Sequence, residues 1–192
     1  MDKTAIEHWS PVIGGQFWWT GLIFVLIFVP LMIFLGSKIS SKQRDMVLYG
    51  MGIYQLANKA LTQIGYIFSD NYIMASNLPL HLCGLSGILA GIVVFYRKQI
   101  LFEFLYFFGL VGFIHSVLTP EFTGGVSSWK IFDYYVGHSM LIIIPVWLMK
   151  YYEFRLRHNA WWTSFIYLQL IVVLVSQANS IIGNGANYMY CL

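Results

Sequence analysis

The sequence predicts an all-α, polytopic helical membrane bundle with six transmembrane helices and its N-terminus outside the cytosol, and three observations carry that prediction. The mean hydropathy of the 192 residues is +0.68 and only 10% of them are charged, far below the roughly 25% of a soluble globular domain. Six stretches are long enough to cross roughly 30 Å of hydrocarbon at about 1.5 Å per helical residue. The cations between them gather in alternate loops.

The stretches run Phe17 to Gly36, Asp45 to Phe68, Leu78 to Tyr96, Ile100 to Leu118, Ile131 to Lys150 and Ala160 to Ile182, the second being the least apolar. Ahead of the first, the mixed charges of Asp2, Lys3 and Glu7 and the lack of a small-residue cleavage site argue against a cleaved signal peptide, so this segment is expected to remain. The first, third and fifth connections hold Lys38, Lys42 and Arg44, then Arg97 and Lys98, then Lys150, Arg155 and Arg157. The other two hold Asp70, Glu121 and Lys130. Cytosolic loops carry the Lys/Arg excess, which puts the N-terminus and the segment from Asn184 to Leu192 outside. Trp18, Trp19, Trp129, Trp161 and Trp162 fall at segment ends, where amphipathic rings favour the headgroup layer. Neither an internal repeat nor a low-complexity linker divides the chain, and residues 1–192 read as one transmembrane domain of a multi-pass protein, most simply in a bacterial inner membrane.

Polar side chains at membrane depth are costly unless partnered or facing a wet cavity, so each marks a candidate site. On the second segment Gln55, Lys59 and Gln63 lie one turn apart on a single face, with Asn58 beside them. The outer third of the third segment carries His81 and Cys83, and the fourth ends near His115. The fifth carries Asp133 and His138, and the sixth Gln177 and Asn179, with Asn187 just beyond. Five segments thus bring polar groups to one outer level, which predicts a pocket opening outward or into the outer leaflet.

Each residue also has a plainer role. His81 follows Pro79 and could cap a helix, Cys83 could be a small apolar filler, His138 could bond helix to helix, and the stem of Lys59 could reach the interface. Glu103 is expected to pair with Arg97 or another cation of that side, and His8 and His158 to be solvated. His81, His138 and Cys83 together supply a general base and a nucleophile for acyl transfer, with Lys59 or Asn187 orienting the acyl group and Gln63, His115, Asp133, Gln177 and Asn179 lining the pocket. The cysteines and histidines have no metal-type spacing, so neither a metal nor a cofactor is expected. Membrane lipids, including an acyl donor, are the expected partners, and nucleic acid is not. The alternative is a transporter or small-molecule binding protein using the same pocket without covalent chemistry.

Leu78-Pro79-Leu80-His81-Leu82-Cys83, Phe102-Glu103, Tyr106-Phe107, Gly109-Leu110, Leu118-Thr119-Pro120, His138 and Ala186-Asn187-Tyr188-Met189-Tyr190 resemble the bacterial YwaF-like integral membrane proteins, related to animal transmembrane protein 164. The resemblance spans about Asn77 to Tyr190. It implies acyl transfer among phospholipids by a cysteine beside a proline-histidine pair, with a second histidine further along. In this sequence Leu80 stands between Pro79 and His81, and the cysteine comes two residues after the histidine, at Cys83. Family members continue into a further apolar span after the Asn-Tyr-Met motif, so the chain is expected to stop short at Leu192.

Overall fold

The computed structural model describes residues 8–68, 72–123, 126–183 and 185–191. Asp2, Lys3, Glu7, Asp70, Asn184 and Leu192 lie outside these described residues. The helices are α1 (Gln16–Lys38), α2 (Ser41–Ile67), the one-turn α3 (Met74–Asn77) and α4 (Leu82–Phe95), followed by α5 (Gln99–Phe104), a π-helical turn (Leu105–Gly109) and α6 (Leu110–Leu118) as one continuous rod. Then come α7 (Ser128–Tyr151), α8 (Ala160–Ile182) and a closing 3-10 turn (Tyr188–Tyr190). A two-residue antiparallel ladder pairs His8–Trp9 with Phe122–Thr123.

The protein is helical and membrane-spanning, and four of its helical stretches are long and apolar enough to cross a bilayer: Gln16–Lys38, Gln99–Leu118, Ser128–Tyr151 and Ala160–Ile182. The second predicted segment has the length, at 27 residues, but its polar face lowers its hydropathy. The third differs from expectation more sharply. Its helix begins at Leu82 rather than Leu78 and has 14 residues, about 21 Å of rise. Pro79 is the cause: it has no N–H to give and disfavours helical geometry at the preceding residue, and Leu78 is extended at φ −71°, ψ 146°.

Caps explain two other shifted starts. Ser40 Oγ accepts from the Gln43 backbone N–H at 3.4 Å while Gln43 Oε1 accepts from Ser40 N at 2.9 Å; this reciprocal box starts α2 ahead of the expected Asp45. Ser127 Oγ accepts from Lys130 N at 3.3 Å and starts α7 ahead of Ile131.

α7 is the central post, burying Tyr135, Leu141, Ile144 and Trp147 among α1, α2, α4 and α6. Close approach to it is set by glycine. A Cβ at Gly36 of α1 would lie 2.6 Å from the Trp147 ring, and one at Gly21 would overlap the Tyr135 phenol, so α1 packs directly on both rings as small residues allow between membrane helices.

The helix ends rich in Lys and Arg meet at what is here called the basic end. There Asp45 accepts from Tyr152 Oη at 2.6 Å and from Arg97 Nη2 at 3.3 Å. Burial, then the Asp45 carboxylate, pushes the Tyr152 phenol up to about 12. Glu103 is fully buried and bidentate with Arg157, at 2.7 Å from Nη2 to Oε2 and 2.9 Å from Nε to Oε1. Its partner is thus Arg157 rather than Arg97, which Asp45 already engages. At the opposite end Trp18 Nε1 donates to Leu118 O at 2.8 Å, and Trp19 and Trp129 are exposed near helix starts, while Trp161 and Trp162 are exposed at the start of α8 on the basic end.

Candidate functional site

Two polar assemblies lie toward the end opposite the basic one. The first is built by α2 and α7. Tyr54 and Asn58, one turn apart on α2, each donate to one oxygen of Asp133: Tyr54 Oη to Oδ1 at 2.6 Å and Asn58 Nδ2 to Oδ2 at 2.8 Å. Gln55, 1% exposed, sends Nε2 to the Gly137 carbonyl at 2.8 Å. Both carboxylate oxygens of Asp133 are therefore held before any ligand arrives, as a charge inside a bundle requires.

Lys59 follows on the same face of α2 and crosses to α4. A Cβ at Gly87 would lie 2.8 Å from Lys59 Cε, so the missing side chain at Gly87 is the groove that the lysine stem occupies. Its ammonium is in electrostatic range of Asp133, Cys83 and His138. Cys83 sits one turn before Gly87 on the same helix, half-buried, with Sγ 3.9 Å from Gly112 O of α6.

His138 completes this cluster. Its Nδ1 lies 2.7 Å from the Tyr134 carbonyl one turn earlier; a carbonyl can only accept, so Nδ1 carries the proton and Nε2 keeps its lone pair. Tyr134 stacks beside the imidazole, centroids 4.3 Å apart, and its hydroxyl donates to Ser116 O at 3.0 Å. Ring and tautomer are both fixed. Two fully buried hydroxyls flank the cluster, Ser86 one turn after Cys83 and Ser139 beside His138, and neither has a hydrogen-bond partner among the described residues.

The second assembly joins the stretch after α3 to the chain's last turn. Tyr188, fully buried, accepts from Leu78 N at 2.9 Å and donates to Met74 O at 2.7 Å. Burial pushes its phenol up, which keeps the proton it donates. Asn179 of α8 fixes the other side of this residue, with Nδ2 donating to Tyr188 O and Oδ1 accepting from Tyr188 N, both at 3.0 Å. Gln63 Nε2 reaches Asn77 O at 2.7 Å, and Asn77 Oδ1 accepts from Ile73 N at 2.7 Å. His81 is exposed, its ring 5.0 Å from that of Tyr188 and its Nδ1 3.5 Å from Met189 N. Met189 and Tyr190 hold positive φ values of 57° and 55°, a rare pair for residues with side chains that the Asn179 and Tyr188 bonds keep in place.

The sequence-predicted residues thus divide. Cys83, Asp133 and His138 all lie in electrostatic range of Lys59. His81, Gln63, Asn179 and Asn187 belong to the second assembly, where the Asn187 Oδ1 is buried without a partner among the described residues. His115 and Gln177 are exposed. Sequence reasoning missed Tyr54, Tyr134 and Tyr188 as organisers. The spacing could have found two of them, since Tyr54 precedes Asn58 by one turn and Tyr134 precedes His138 by one turn.

A model of the TMEM164 family matches residues 7–192. No curated protein and no solved structure matches the chain.

Proposed function

The chain belongs to the TMEM164 family, and from that premise we propose that it is a membrane-embedded acyltransferase or acyl hydrolase acting on phospholipids and lysophospholipids. The observation that carries this reading is that Lys59 of α2 lies in electrostatic range of both Cys83 of α4 and His138 of α7, with His138 Nδ1 bonded to Tyr134 O so that Nε2 is free to take a proton. An imidazole held in one tautomer, a thiol and an ammonium are the parts of nucleophilic acyl transfer.

In this reading Cys83 Sγ–H gives its proton to His138 Nε2 as sulfur attacks the ester carbonyl. The new C–S bond forms, the oxyanion is stabilised by the Lys59 ammonium, and collapse breaks the C–O bond. The departing alkoxide takes the proton from His138, leaving a lysophospholipid and an acyl thioester on Cys83. A lysophospholipid hydroxyl or water then attacks the thioester with His138 again as base, and the thiol is restored. His81, Asn187 and Gln63 sit on the second assembly and serve as headgroup contacts.

The same reading includes six spans. α2 has the length, and α4 is completed as a crossing by α3 and the Leu78–His81 stretch. The basic end faces the cytosol of the cell membrane, which puts the N-terminus outside.

The test is mass spectrometry of lipids and protein after incubating the purified chain, and its His138→Ala variant, with phosphatidylcholine and lysophosphatidylcholine. Acyl transfer or release lost in the variant, with an acyl adduct on Cys83 in the parent, is the expected result. Unchanged lipids with a folded parent protein would overturn the reading.

A further inference from the structure

A cleft outside both assemblies lies between α1 and the first turns of α7. It has a volume of about 230 Å³, and its walls include Phe17, Thr20, Gly21 and Phe24 of α1 and Phe132 and Tyr135 of α7. Most of what it presents is apolar, and the hydroxyl-bearing residues on its wall are Thr20, Ser128 and Tyr135. Tyr135 is 4% exposed, yet its hydroxyl has no hydrogen-bond partner among the described residues. That hydroxyl lies against Gly21, whose missing side chain lets the phenol reach the cleft wall. A buried donor without an acceptor is costly, so a ligand that supplies an acceptor there gains by relieving it.

Position and chemistry together name the ligand class. Tyr135 lies seven residues into the 24-residue α7 from Ser128, about 10 Å along the helix, so it is below the headgroup end and short of the middle of the span. Thr20 and Phe132 are exposed on the flank, which opens the cleft sideways to the bilayer rather than to water. An aqueous metabolite would find few polar atoms among apolar walls. A lipid offers an acyl chain for the phenylalanine walls and an ester oxygen that can accept from the hydroxyl. We propose that the α1–α7 cleft is a binding site for one acyl chain of a glycerolipid, its ester carbonyl accepting the hydrogen bond of Tyr135. The site is independent of Cys83 and His138, being reached from the other face of α7, where Tyr135 points toward α1 while Tyr134 bonds Ser116 of α6.

The experiment uses the full chain in phosphatidylcholine vesicles doped with phosphatidylcholine carrying a diazirine in one acyl chain, and a matched probe with ether instead of ester linkages. Saturable labelling concentrated on 17–24 and 128–135 is expected with the ester probe. Tyr135→Phe, which keeps the ring, should lower that yield several-fold, to the level that the ether probe gives on the parent protein, and should leave the ether probe's yield unchanged. Thr20→Phe, at an exposed position, should block both probes by filling the cleft. Labelling spread evenly over α1, α7 and α8 would overturn the site. Equal labelling of the parent by ester and ether probes, or indifference to Tyr135→Phe, would overturn the ester hydrogen bond.

Discussion

Asn179 holds Tyr188 by both of its backbone groups, donating to the carbonyl and accepting from the N–H at 3.0 Å each. Through the Tyr188 hydroxyl this pair reaches Leu78 N and Met74 O. Two segments more than a hundred residues apart are joined by one side-chain amide and one phenol, and the stretch before His81 takes its shape from the end of the chain.

Tyr188→Phe keeps the ring in its cluster with Val175 and Ala186 and deletes only the hydroxyl. It leaves the Leu78 N–H and the Met74 carbonyl without that partner, so a destabilisation of about 1–3 kcal/mol is expected. Amide exchange should speed up over 74–82 while α7 stays protected. Uniform exchange across all helices would show that the turn is not fastened this way. Asn179→Ala should loosen the last turn as well, because both Tyr188 backbone groups lose their partners.

The pair at the basic end predicts an asymmetry. Glu103 has no exposure while the Arg157 side chain is about half exposed, so removing the two has different consequences. Arg157→Ala strands an ionised carboxylate in the interior, whereas Glu103→Gln leaves a guanidinium that can turn to water. The Arg157 variant should show the larger fall in unfolding temperature in detergent. Arg157→Lys should recover little of it, because Nε and Nη2 both bond the carboxylate and an ammonium cannot reproduce the fork. Equal effects of Arg157→Ala and Glu103→Gln would contradict a buried carboxylate held by that fork.

Much of this architecture was legible in the sequence because apolar length and loop charge are local properties. Ala160–Ile182 has the boundaries that its composition predicts. The start of α4 was not legible as a helix boundary because the Leu78–Tyr96 run is apolar throughout, and Pro79 acts on backbone geometry rather than hydropathy. The site was half legible. Depth alone places His81 and His138 at one level, but the rotation of each helix decides which neighbours they have, and that is set by glycines such as Gly87 and Gly112, which leave room for Lys59 and Cys83. His81 went with Tyr188 because the chain's last turn packs there, a long-range contact with no signature in spacing.

The π-helical turn at Leu105–Gly109 predicts an uneven response to deletion. Such a turn accommodates one extra residue in an α-helix, so deleting Phe107 allows the rod to become regular while α5 and α6 keep their faces. Deleting Ile114 instead rotates everything after it by about 100°, given 3.6 residues per turn, and turns Ser116 away from Tyr134, whose hydroxyl bonds its carbonyl. The Phe107 deletion should give folded protein with an unfolding temperature near the parent's, and the Ile114 deletion should not. Equal loss in both would mean that the extra residue is needed where it is.

The two histidines should behave differently although both follow from the same sequence pattern. His138 is fixed by Tyr134 and lies in electrostatic range of Lys59, so as general base its replacement by alanine should cost about 10²–10⁴-fold in acyl turnover. The loss should fall on kcat, since in the proposed mechanism the imidazole acts on the proton in flight rather than on the bound lipid. His81 is exposed beside Tyr188 and makes one long contact with Met189 N. His81→Ala should raise KM several-fold and leave kcat within the same order. His138→Gln offers an amide in place of the ring but no base, so it should be as inactive as the alanine variant while keeping the unfolding temperature closer to the parent's. Measuring kcat and KM separately for His81→Ala and His138→Ala decides the assignment: a kcat loss at His81 with little change at His138 would exchange their roles and move the chemistry to the assembly held by Tyr188.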